Sequence, residues 1–315
     1  MHLFRSSSIY CNRTDDFPGK VGFFVEKKFS FAIVGGDMRQ INLAELLARD
    51  GHDVFLYAME KSNAPDGVIQ KNNISSLSNK RDCIILPLPA TIDDKTLNAP
   101  FSMHKTSIDD LFSAFSTGQT VIAGKLKNSL FEKAGRSGIR LYDYLDREDF
   151  TVLNSIPTAE GAIECAMSET KTVLSGRNCL VIGFGHIGKL LCAKLRGLGA
   201  NVYASARKSG DLAWISAYGY KPLHTAQIID SIAEFDVIFN TVPAPLIRRE
   251  ELLFVKQNAF ICDLASKPGG VDFDAARELE ISAVHALSLP GKVAPLFAAE
   301  SMRDTIYNIL SEWGN

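Results

Sequence analysis

No apolar run in this sequence approaches the ~18 residues that a bilayer-spanning helix needs, so a membrane role is not expected. A charged field of one sign is also missing: 34 Lys and Arg stand against 36 Asp and Glu, a net charge of −2. Without a basic face there is little to hold a polyanion, and nucleic acid is not an expected partner. An acidic small molecule needs only a local Arg or Lys and stays open. Cysteine is sparse. Cys11, Cys83, Cys165, Cys179, Cys192 and Cys262 are scattered with no CxxC pair, and several lie in apolar runs. They read as buried free thiols in a reducing compartment, not as a disulfide frame or a metal site. Residues 1–12 lack the apolar centre of a secretory signal, so the expected location is the cytoplasm. Apolar material is ample, at 46% of 315 residues, enough for about two domains.

The pattern alternates strand and helix. An apolar run at 29–34 stops at Gly35-Gly36-Asp37. Residues 39–50 then show helical spacing through Ile41, Leu43, Ala44, Leu46 and Leu47, closed by Gly51. Further strands are predicted at 53–57, 83–86, 120–123 and 139–142, with a helix at 126–134 and a polar stretch over 61–81. This first half, 1–150, is expected to be a flavodoxin-like α/β domain carrying substrate and catalytic groups. A helix over 155–174, with Pro157 in its first turn, joins it to a second domain, 151–297. There, strands at 178–182, 201–204, 237–240, 260–264 and 282–285 alternate with helices at 187–197 and 212–218. A C-terminal segment, 298–315, carries a final helix over 298–310. The expected fold class is α/β: two doubly wound parallel sheets, N-terminal flavodoxin-like and C-terminal Rossmann NAD(P)-binding.

One loop carries the clearest chemistry. Gly183-Phe184-Gly185-His186-Ile187-Gly188 sits between an apolar strand and a helix, the context in which GxGxxG acquires meaning. Gly183 makes the tight turn, Gly185 admits a pyrophosphate, and Gly188 lets the helix pack on the strand. Backbone amides at His186 and Ile187 complete a phosphate cradle; the His186 ring has no assigned role. After the second strand, an acid that would hold a ribose 2′-OH is absent. The chain reads Ser205-Ala206-Arg207-Lys208 instead. Ser205 could donate to a 2′-phosphate while Arg207 and Lys208 neutralise it, which favours NADP over NAD.

Parallel sheets bind ligands at the carboxyl ends of their strands. Thr241 and Pro243 follow one such strand, at the level of a nicotinamide ribose, and Ser266 and Lys267 follow the next. In the first domain Asp37 and Arg39 stand in the corresponding loop. Arg39 or Lys267 could hold a substrate carboxylate, and Asp37 could move a proton or cap the helix. The cleft between the domains is the expected substrate position, with Arg39, Asp37, Glu160 and Lys267 beside it.

These motifs resemble a known family, the dipicolinate synthase A subunits of endospore-forming bacteria. The resemblance rests on GGDMRQ at 35–40, NSIPTAEGAI at 154–163, GFGHIG at 183–188, DLASKPGGVDF at 263–273 and LPGKVAP at 289–295. It spans nearly the whole chain beyond the leader; His186 stands where the family often has Arg. It implies a nicotinamide-dependent dehydrogenase acting in sporulation. The substrate would be a hydroxytetrahydrodipicolinate or dihydrodipicolinate, and the product dipicolinate. The partner would be the flavoprotein-like B subunit of dipicolinate synthase, in the mother-cell cytoplasm. Homo-oligomerisation stays open. Two rival readings stand beside it. A 2-hydroxyacid dehydrogenase would need a paired His base, for which only His285 is available. A non-catalytic NADP-sensing subunit would need only the fold.

Overall fold

A strand that is apolar on both faces is stable only between two layers of helix. Phe31–Val34, Cys83–Ile85, Val121–Ala123 and Cys179–Ile182 are buried throughout, and each is a central strand of a parallel sheet. The structure, a computed structural model, describes residues 27–312 except 78 and 80; the leader and Cys11 lie outside them. The described residues up to Phe150, with those from Pro295 onward, form one unit, and Thr151–Ala294 form another.

In the first unit β1 (Ser30–Val34) leads to α1 (Met38–Arg49), β2 (Asp53–Tyr57), β3 (Val68–Lys71) and β4 (Cys83–Ile85). Then come α2 (Ile108–Ala114), β5 (Thr120–Ala123), α3 (Asn128–Arg136) and β6 (Arg140–Asp143). All six strands are parallel, in the order β3-β2-β1-β4-β5-β6. The five strands expected from the sequence, counted alone, have the flavodoxin-like order 2-1-3-4-5. The sixth, β3, lies within the stretch that reads as polar. It is an edge strand without a fully buried residue, so its side chains show no core pattern. Helix α2 is likewise absent from the sequence reading; Ser107 caps it, accepting from the Asp110 amide at 3.0 Å.

Helix α4 spans Glu148–Thr170, not 155–174, and Pro157 lies in its interior. Proline removes a backbone donor there. On either side of it, the hydroxyls of Ser155 and Thr158 donate to the carbonyls of Thr151 and Asn154 at 2.7 and 2.9 Å. The second unit continues with β7 (Asn178–Ile182), α5 (His186–Gly197), β8 (Asn201–Ala206), α6 (Ser209–Ala217) and β9 (Lys221–His224). It is completed by α7 (Ile228–Ser231), β10 (Val237–Asn240), α8 (Arg249–Leu252), β11 (Phe260–Asp263), α9 (Phe273–Glu278), β12 (Ser282–His285) and α10 (Leu289–Val293). Its sheet, β12-β11-β10-β7-β8-β9, repeats the doubly wound order of the first. The strand that the sequence reading lacks, β9, is again an edge without a fully buried residue.

The last helix, α11 (Pro295–Glu312), returns to the first unit. Its Ala299, Met302, Ile306, Tyr307 and Ile309 share a core with Phe31, Ile33, Leu43 and Leu47. Among the described residues, no helix is long and apolar enough to cross a membrane.

Candidate functional site

At the β7–α5 turn each glycine has a separate reason. Gly183 has φ +97°, and a Cβ there would lie 2.4 Å from Thr241 Oγ1. Thr241 is itself tied down, its hydroxyl donating to the Ile182 carbonyl at 2.9 Å. A Cβ on Gly188 would lie 2.1 Å from the Gly183 carbonyl oxygen. Gly185, the N-cap of α5, is the opposite: a Cβ would meet nothing within 4 Å, and no side chain caps the helix. The start of α5 therefore has room above Gly185 and no side-chain cap, the setting in which a phosphate can dock on a helix N-terminus.

The first unit makes the same strand–turn–helix and closes it. Asp37 caps α1, accepting from the Arg39 amide at 3.0 Å, while Gln40 Oε1 accepts from the Asp37 amide at 3.0 Å. A carboxylate of the chain itself occupies the place a ligand's anion would take. This contrast separates the two units chemically: α5 can receive phosphates, and α1 is already satisfied.

Arg39 is correspondingly committed. Its Nε and Nη2 donate to the two Asp37 carboxylate oxygens at 2.9 and 2.8 Å, and Nη2 also donates to the Leu88 carbonyl at 2.6 Å. Only 4% of the residue is exposed. Burial pushes the Asp37 carboxyl up, but the hydrogen bonds and charge of Arg39 outweigh that and hold it below its ordinary value. The expectation that Arg39 offers its whole fork to a substrate carboxylate is corrected on this ground: Nε and Nη2 are already spent on Asp37 and Leu88. It ties the loops after β1 and β4 together.

At the end of β8 a second correction is needed. The strand runs through Ala206, so Ser205 is fully buried. Its hydroxyl accepts from Thr225 Oγ1 at 3.4 Å and is not presented to a cofactor. Arg207 and Lys208, just beyond the strand, are exposed.

Glu160 is engaged elsewhere than at the glycine loop. It is exposed on α4 and pairs with Lys194 at 2.7 Å. Lys194 lies about two turns, ~12 Å, along α5 from the glycine loop.

Asn240 and Asp263, which the sequence reading leaves without a role, stand beside His285, the candidate base of the rival dehydrogenase reading, at the carboxyl ends of β10, β11 and β12. The register aligns Asn240 with Asp263 and Asp263 with His285. Asp263 is fully buried. Its oxygens accept from Asn240 Nδ2 at 2.8 Å and from the amides of Ala265 and Gly270 at 3.1 and 2.7 Å. His285 Nε2 is 2.8 Å from the Ala265 carbonyl, and its ring stacks on Phe273. This lattice shapes the loop whose exposed tip is Ser266-Lys267-Pro268. Pro243 is also exposed, on the neighbouring loop. The sequence signal is present, a polar residue ending each apolar strand, but only the register makes it a cluster.

Among the described thiols, burial disfavours the thiolate at Cys179 and Cys192, pushing both up to about 12. A hydrogen bond from Cys262 lowers Cys165 on α4.

Comparison with known proteins follows this division. Residues 30–145 match the family described as the N-terminal domain of the dipicolinate synthase A subunit. Residues 154–290 match the NAD-binding domain of S-adenosyl-L-homocysteine hydrolase. The dipicolinate synthase A subunit of Bacillus subtilis is 31% identical over 283 residues, covering 89% of this chain and 95% of that protein. The crystal structure of the dipicolinate synthase A subunit from Bacillus halodurans superposes with a TM-score of 0.82 at 29% identity, over 90% of this chain and 98% of that one. A transhydrogenase from Sinorhizobium meliloti shares the fold, with a TM-score of 0.65 at 18% identity over 90% of this chain and 94% of its own.

Proposed function

The chain belongs to the family of dipicolinate synthase A subunits, and on that basis we propose that it oxidises a dihydro- or hydroxytetrahydrodipicolinate to dipicolinate with NADP. It acts with the flavoprotein-like B subunit in the cytoplasm of a sporulating mother cell. The observation that carries this reading is the uncapped start of α5 beneath Gly185, in a chain whose other doubly wound unit has closed the equivalent turn with Asp37.

The amides of Gly185, His186 and Ile187 hold the pyrophosphate, and Gly183 and Gly188 keep the turn close enough to do so. Thr241 and Pro243 border the ribose, and Ser266 and Lys267 lie on the loop beside the nicotinamide. A bound nicotinamide would supply the hydride acceptor; the substrate ring also releases a proton to solvent, and the hydroxytetrahydro form a water, with aromatisation as the driving force. Asp263, Asn240 and His285 keep the 264–270 loop in one conformation, so the exposed Lys267 ammonium is held where it can neutralise a substrate carboxylate. Arg207 and Lys208 neutralise a 2′-phosphate, and no acid stands there to repel it.

The test is turnover. Given the B subunit plus the condensation product of aspartate semialdehyde and pyruvate, the protein should form dipicolinate and reduce NADP in step, with NADP preferred over NAD. Arg207→Ala should lower that preference about ten- to hundredfold, as loss of a charge-assisted contact of ~1.5–3 kcal/mol implies. Equal use of both cofactors by the wild type ends the NADP assignment; cofactor binding without any dipicolinate ends the catalytic one.

A further inference from the structure

Arg39 spends Nε and Nη2 on Asp37 and Leu88 and is almost wholly buried, so an anionic substrate on the first unit calls for a further, exposed cation. We propose that Lys125, in the turn after β5, is that carboxylate-binding residue; this rests on the dipicolinate reading. Lys125 is exposed and follows Ala123 and Gly124 at the carboxyl edge of the parallel sheet, the edge at which such sheets bind ligands. Among the described residues its ammonium meets no carboxylate within ion-pair distance. Its neighbours differ: Lys127 pairs with Asp94, and Arg39 with Asp37.

Its backbone carries the second, independent observation. Lys125 has φ +57°, the left-handed region that L side chains disfavour and glycine adopts freely. The turn cannot relax out of it. Gly124 exchanges hydrogen bonds with the loop after β4, its amide donating to the Pro87 carbonyl at 3.1 Å and its carbonyl accepting from the Ala90 amide at 2.9 Å. Gly124 also packs so closely that a Cβ would lie 2.3 Å from Leu88 Cδ1. On the other side Asp143, 7% exposed, accepts from the amides of Lys125 and Leu126 at 3.2 and 2.6 Å. The same Leu88 whose side chain meets Gly124 gives its carbonyl to Arg39. The loops after β1, β4 and β5 thus form one braced surface, and position 125 is held in a shape that suits glycine. A lysine kept in a glycine-shaped position, with no partner of its own, fits a residue retained for a ligand.

The experiment uses the full chain saturated with NADPH and dipicolinate as the probe. Calorimetric titration and thermal unfolding are compared for the wild type, Lys125→Gly and Lys125→Arg. Lys125→Gly should bind dipicolinate about ten- to hundredfold more weakly. Its NADPH affinity should be unchanged and its unfolding midpoint no lower than that of the wild type. Lys125→Arg should retain binding to within about threefold, since the charge is kept. Two results overturn the assignment: unchanged dipicolinate affinity in Lys125→Gly, or a lowered midpoint that marks Lys125 as structural. A wild type that reduces no cofactor with the proposed substrate and binds no dipicolinate defeats the dipicolinate reading itself, and this inference with it.

Discussion

His52 shows how one side chain reports on the packing of the first unit. Its Nδ1 accepts the Phe29 amide at 3.3 Å, and Nε2 lies 3.0 Å from the Tyr307 hydroxyl, which donates to Asp50 at 2.7 Å. The acceptor role of Nδ1 puts the proton of the neutral ring on Nε2. Burial lowers the imidazole below its ordinary value, against the pull of Asp50, Asp53 and Asp82. The folded state thus favours the neutral ring, and the unfolded chain takes up the proton first as pH falls. The stabilising contribution is complete above the unfolded value near 6.5 and is lost as pH drops through it toward the lower folded value. The unfolding midpoint should fall between about pH 7 and pH 5 in the wild type and be flat there in His52→Gln. Carboxylates such as Asp37 and Asp149, which are held low, act in a more acidic window. A slope that survives in His52→Gln places its origin elsewhere.

Among the elements, the β7–α5 turn separates folding from binding. Gly185→Val puts its side chain into open space, so the variant should fold with a near-normal midpoint and lose NADP binding. Gly188→Val drives a Cβ into the Gly183 carbonyl and should lose stability as well. Circular dichroism and cofactor titration on the pair check this. Normal cofactor affinity in a folded Gly185→Val protein removes the turn from the dinucleotide site. The same elements show why edge strands escape a reading by pattern. β3 and β9 have no buried face comparable to the central strands, and hydropathy registers burial, not hydrogen bonding.

For the molecule entire, the return of α11 is what closes the first unit's core. Ile306 is fully buried there, and Ile306→Ala should destabilise the protein by about 2–5 kcal/mol through lost apolar contact and a residual cavity. NADP affinity measured below the melting range should be unchanged, because the cradle belongs to Thr151–Ala294. Scanning calorimetry with a parallel cofactor titration reads both; a loss of cofactor affinity without loss of stability contradicts this division of labour.

Local and periodic features were legible in the amino-acid order. The apolar runs located the central strands, the Gly183–Gly188 spacing located a turn of dinucleotide-binding type, and the motifs at 35–40 and 263–273 carried the family. Each depends on residues near one another in the chain, where steric rules act directly. Which charged groups remain available emerged only from the folded chain. Arg39 looks free until Asp37 and Leu88 are seen around it, Ser205 until its strand proves longer, and Glu160 until Lys194 lies beside it. Folding also assembles Asn240, Asp263 and His285 into one cluster through strand register, and holds Lys125 in a left-handed turn through Gly124 and Asp143. A side chain's chemistry depends on its partners and its burial, and those are set by chain segments far apart in sequence.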